Sequence, residues 1–179
     1  MGPLFIANNS FGPWAGDRWK GFITWSGLTQ LKELVSLDAL LCSRVLEEVK
    51  DEYWPYIVNE DFMLNYFTDL EFMLRQLPDT KRKNVLCVFK DPTTHPVPPS
   101  DILNFGFVGY DLIDDQTAVS ALSNCGGFQK AFANDQLNEL GLLDTNEEAT
   151  KIQTFLLEHY PHEGHAICSR WAMFRAMES

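Results

Sequence analysis

Residues 104–128 constrain the fold more tightly than any other part of this chain. Phe105, Phe107 and Gly109 fall on one side of an extended backbone, with Val108 and Tyr110 on the other, the pattern of a strand covered on both faces. Asp114-Asp115 then makes a turn, and residues 118–122 form a second short strand. Cys125-Gly126-Gly127 follows as a strand-to-helix junction, the kind of place where sites are often built, ahead of a helix over 128–137 that turns Phe128, Phe132 and Leu137 inward.

The elements that would accompany this strand are read from periodicity and breakers. Residues 1–20 are rich in Gly, Pro, Asn and Trp and predict an irregular arm docked through Phe11, Trp14 and Trp19. The rest, 21–179, reads as a single α+β domain. Residues 21–25 form a short strand; Leu28, Leu31, Leu34 and Val35 repeat at helical spacing, while 34–37 also fit a strand. Val45, Leu46 and Val49 predict an amphipathic helix from Ser43 that stops before Pro55. The broadest apolar stripe, Met63, Tyr66, Phe67, Leu70, Met73, Leu74 and Leu77, predicts one long helix over 61–77, closed by Pro78. Residues 85–89 read as a strand, and the prolines around His95 make a stiff, non-helical connector. Asp144 or Thr145 caps the next helix, Thr145 with Glu148 fitting a capping box, and Ala149, Ile152, Phe155, Leu156 and His159 share a face; residues 166–177 favour a closing strand over a short helix. The fold class is therefore α+β: a mixed or antiparallel sheet of about five strands, with about four helices packed on it.

Charge narrows the partners. The net charge is −11, and the acids concentrate in residues 38–79 and 111–148, while the basic residues gather at Lys81-Arg82-Lys83. Too few cations stand together to track a phosphate backbone, which argues against nucleic acid. No run approaches the ~18 apolar residues of a membrane span, and the N-terminus lacks a basic, apolar signal segment, so no membrane association and a cytoplasmic location are expected. The four cysteines lie far apart with no Cys-x-x-Cys pair, and Cys42 and Cys87 sit in apolar runs as small buried hydrophobes.

Three groups of residues carry chemistry. His159, His162, His165 and Cys168 recur every third residue, and imidazole with thiolate is a zinc-binding donor set. Pro161 and Gly164 interrupt that run, and the plainer reading is a helix C-terminus followed by a polar loop. Cys125 beside two glycines has the chemistry of a nucleophile at a helix start, but the glycines equally serve a turn. Asp111, Asp114 and Asp115 could hold Mg²⁺ or Ca²⁺, though no calcium-loop spacing accompanies them. Glu47, Glu48, Asp51 and Glu52, brought beside Asp111, Asp114 and Asp115, would make one continuous negative face.

These features lead to an expectation of a non-enzymatic acidic binding protein, of the inhibitor or immunity kind, that neutralises a basic protein partner and needs no cofactor. The alternative is a small metal-dependent or cysteine hydrolase using the 159–168 segment, with zinc, or Cys125.

Overall fold

A computed structural model describes residues 2–61, 64–79, 81–124, 128 and 131–177. The α+β expectation holds, with a six-stranded sheet that is antiparallel throughout. Its strands are β1 (Leu4–Asn9), β2 (Ile57–Asp61), β3 (Leu64–Phe67), β4 (Lys83–Lys90), β5 (Phe105–Asp114) and β6 (Cys168–Ala176), in the order β2-β3-β1-β4-β6-β5. The α-helices among the described residues are α1 (Asp17–Ser26), α2 (Leu70–Gln76) and α3 (Asn146–His159), accompanied by short 3-10 turns.

Strand alternation builds two cores. Phe5 and Ala7, Cys87 and Phe89, and Ala172 and Phe174 face one layer, which also receives Trp19 and Phe22 of α1, Leu70 and Met73 of α2, and Ala149, Ile152 and Leu156 of α3. Leu4 and Ile6, Leu86 and Val88, and Trp171 and Met173 face the other, covered by the irregular segments that carry Val35, Leu37, Ala118 and Leu142. Helices thus cover one face of the sheet and extended loops the other.

The expected irregular arm contains a central strand instead. Four consecutive apolar residues, Leu4 to Ala7, are enough for β1, which pairs with β3 on one side and β4 on the other. Residues 21–25 belong to α1 rather than to a strand. Trp19 and Phe22 share its buried face, and Gly27, at φ +69°, closes it by donating its amide to Ile23 O at 2.9 Å. The helix expected from Ser43 does not form, because its amides serve β1: Val45 N donates to Ala7 O at 3.0 Å, and Asn9 N donates to Ser43 O at 2.8 Å. A 3-10 turn at Asp51–Tyr56 follows. Residues 28–37 are neither helix nor strand; Lys32 and Val35 donate to Glu139 O and Leu140 O of another loop.

The long helix over 61–77 divides into β3 and α2. Tyr66 stacks on Trp171 in one layer while Phe67 packs against Tyr53 in the other, which is strand alternation and not a helical stripe. Asp69 then caps α2 by accepting from Phe72 N at 2.8 Å. Residues 118–122 make one bridge, Ile113 to Ser120, instead of a strand. Phe128 and Leu137 are buried as expected, but the described part of 128–137 holds only a 3-10 turn at Asn134–Gln136.

Candidate functional site

β5 carries Asp111 and Asp114 of the acids expected at a site, and a bulge decides where Asp111 points. The register with β6 shifts between Phe107 and Gly109, whose φ is +139°. The extra residue moves Tyr110 to the side of Phe107 and Phe174, against the expected pairing of Tyr110 with Val108. Asp111 consequently points into the loop-covered layer, where it is fully buried.

Four donors hold the Asp111 carboxylate. Ser36 Oγ (2.6 Å) and Leu37 N (3.2 Å) reach Oδ2, while Ser120 Oγ (2.7 Å) and Leu112 N (2.9 Å) reach Oδ1. Burial pushes its pKa up to about 6; the bonds from Ser36, Ser120 and Leu37 oppose that rise, and the neighbouring Asp38 adds to it. Asp38 is itself buried and accepts from Leu40 N, Leu41 N, Ser120 N and Asn124 Nδ2. The pair ties residues 36–41 to 120–124 across the face of the sheet, and both carboxylates are fully buried.

The strand end carries a second polar group. Asp114 accepts from Gln116 N at 2.6 Å, Thr117 N at 3.1 Å and Thr117 Oγ1 at 2.8 Å, and its Oδ2 lies 2.5 Å from His165 Nδ1. Burial raises the pKa of this carboxyl, but those hydrogen bonds together leave it below the ordinary value. Asp115 accepts from Ser169 Oγ at 2.6 Å and pairs with Lys90 at 3.3 Å.

Asp111 and Asp114 are therefore turned inward and do not join a surface with Glu47, Glu48, Asp51 and Glu52, as the continuous-face expectation required. Those four acids are all exposed, and Glu47 and Glu48 line a groove with Arg44, Val45, Leu46, Lys50 and Tyr53. Trp54 stands beside them with 62% of its surface exposed. Sequence reasoning missed Trp54, whose position before Pro55 in an acidic, helix-breaking turn was the available signal. The segment runs directly into β2, which is an edge of the sheet.

The histidine-rich segment does not converge. His159 ends α3, stacked on Phe155 with Nδ1 3.0 Å from Phe155 O. His162 is exposed, His165 turns to Asp114, and Cys168 is buried in β6 with burial pushing its thiol pKa up to about 12. Among the described residues, no three His, Cys, Asp or Glu side chains group closely enough to hold a metal ion. Cys125, Gly126 and Gly127 lie outside the described residues. No helix among the described residues is long and apolar enough to cross a membrane.

No family model matches this sequence, no curated protein matches it, and no solved structure matches the chain.

Proposed function

We propose that this chain is a non-enzymatic cytoplasmic binding protein that engages a basic protein partner, of the inhibitor or immunity kind, through residues 44–56. The exposure of Trp54 among Glu47, Glu48, Asp51 and Glu52 carries this reading. An indole costs water contact when left exposed, and it repays that cost in a complex, where tryptophan is a favoured anchor and its face attracts lysine and arginine. The acids around it supply the long-range attraction that brings a cationic surface into register. Arg44 and Lys50 also line the groove, so residues 44–52 carry four acids against two cations and keep a net negative charge.

The test replaces Trp54 with a photo-crosslinking amino acid in cells of the source organism, identifies the captured protein and reconstitutes the complex from purified components. The expected partner is basic. Its association should slow with added salt, and its dissociation should quicken at least ~10-fold in Trp54→Ala, the range of an anchor residue. An acidic partner, or affinity unchanged by both salt and Trp54→Ala, overturns the reading.

A hydrolase remains the second reading, favoured by one observation. Asp114 holds His165 by Nδ1, the arrangement that orients a histidine as a general base. A hydrolase using His165 as base would cleave generic ester or amide substrates and lose that activity in His165→Gln. Fully folded protein inert toward such substrates removes that reading.

A further inference from the structure

A cleft of about 820 Å³ opens between β4, the bulged part of β5 and the end of β6, well apart in sequence from the acidic segment. In a chain of net charge −11, its walls gather Arg82, Lys83 and Arg175 against a single carboxylate, Glu33. Glu33 pairs with Arg175. Arg82 lies over the Trp14 ring at 5.2 Å, and Lys83 Nζ donates to Pro78 O at 2.7 Å; neither has a carboxylate within ion-pair distance among the described residues. Cations brought together repel, so the cleft holds unbalanced positive charge that an anion would neutralise.

The remaining lining gives the rest of the ligand. Trp14, Phe107 and Leu103 provide an apolar wall, with both rings partly exposed to the cleft. Gly106 lies within β5, opposite Arg175. Its backbone does not require glycine, since its φ is not positive, and a Cβ there would meet only the flexible end of Met177, at 3.4 Å. A strand pays for such a glycine in stability, and its use is to let another molecule approach the backbone closely.

We propose that this cleft binds a small organic anion, a carboxylate or phosphate carried on an aromatic body. The anionic head meets Arg82 and Lys83, and the ring lies against Trp14 and over Gly106, where it displaces the flexible end of Met177. Guanidinium groups suit both oxyanions, because their paired N–H donors match two oxygens.

The full-length protein would be titrated with indole-3-carboxylate and with adenosine monophosphate, using neutral indole and inorganic phosphate as controls. Calorimetry and the NMR shift of the Trp14 indole proton, assigned with Trp14→Phe, provide the readouts. Saturable one-to-one binding of either aryl anion is expected, and the tighter of the two identifies the head group. Binding should weaken at least ~10-fold, or 1.4 kcal/mol, in the Arg82→Gln, Lys83→Gln double variant, which removes charge, and in Gly106→Val, which removes space. Failure of both aryl anions to saturate overturns the proposal. So does equal binding of indole or bare phosphate, or affinity unchanged in two folded variants.

Discussion

Asp111 is fully buried, and burial and the nearby Asp38 act against its charge. Its folded pKa of about 6 stands above the ordinary 3.8, so between those values the native state keeps a proton that the unfolded chain has released. Stability from this group is fully present below 3.8 and is lost as pH rises through about 6. In Asp111→Asn that dependence disappears. Wild type should therefore gain on the variant by roughly 3 kcal/mol as pH falls from about 7 to about 4, measured by denaturant unfolding. Asp114, whose pKa is depressed, works in the opposite direction and loses its contribution as pH falls through its folded value, but it is common to both proteins and cancels. Parallel pH profiles for the two proteins would show that Asp111 does not titrate as described. A second pair of residues tests the β5 bulge. A Cβ at Gly109 would sit 2.6 Å from Leu142 Cβ and 2.8 Å from Leu143 O, at φ +139°, whereas one at Gly106 meets only Met177. Gly109→Ala should cost roughly 1–3 kcal/mol, while Gly106→Ala should raise the melting temperature slightly. Equal effects would place the bulge elsewhere.

At the level of elements, Asp69 distinguishes β3 followed by α2 from one long helix. Inside a continuous helix over 61–77, Asp69→Ala would stabilise, because alanine is the better helix former. At the N-cap, where Asp69 accepts from Phe72 N, the same change should cost roughly 0.5–2 kcal/mol in a thermal or denaturant melt. A stabilised variant would restore the long helix. The core role expected for this region stands apart from that question: Phe67 and Leu70 are both buried, and truncating either to alanine should cost roughly 2–5 kcal/mol. The difference between the two readings has a physical origin. Spacing of i, i+3, i+4 is shared by a helix and by an aromatic strand that leads into a helix, and only the capping side chain marks the join. Elements with a local stop or cap were legible in this way. The Thr145 cap, the strand at 83–90 and the closing strand at 168–176 all lie where the sequence put them. β1 was hidden because its flanks are rich in turn formers and its pairing partners are distant in sequence. The segment 43–54 was misread because the backbone of Ser43 and Val45 hydrogen-bonds to β1, a tertiary choice that no local pattern encodes. The same limit applies to the acids. Clustering in sequence located Asp111, Asp114 and Asp115 near one another, but the bulge, and not composition, turned Asp111 into the core.

The whole molecule carries eleven more negative than positive charges, and their placement separates stability from recognition. Glu47 and Glu48 are exposed, and no side-chain hydrogen bond or ion pair ties them to the fold among the described residues. Reversing both to lysine removes self-repulsion without opening the core, so the melting temperature should stay constant or rise slightly, more at low salt than at high. Binding should respond in the opposite sense. A cationic partner is drawn in by the field of residues 47–52, so Glu47→Lys, Glu48→Lys should slow its association, with a smaller effect on dissociation once Trp54 is seated. Salt should slow the wild type and leave the reversed variant less sensitive, because the screening length of ~8 Å at physiological ionic strength already attenuates what remains. Stopped-flow association at several salt concentrations, paired with thermal melts of the same two proteins, measures both sides. If reversal leaves the association rate and its salt slope unchanged while the melts rise, the exposed acids act only on solubility and self-repulsion, and the partner must be held by the indole alone.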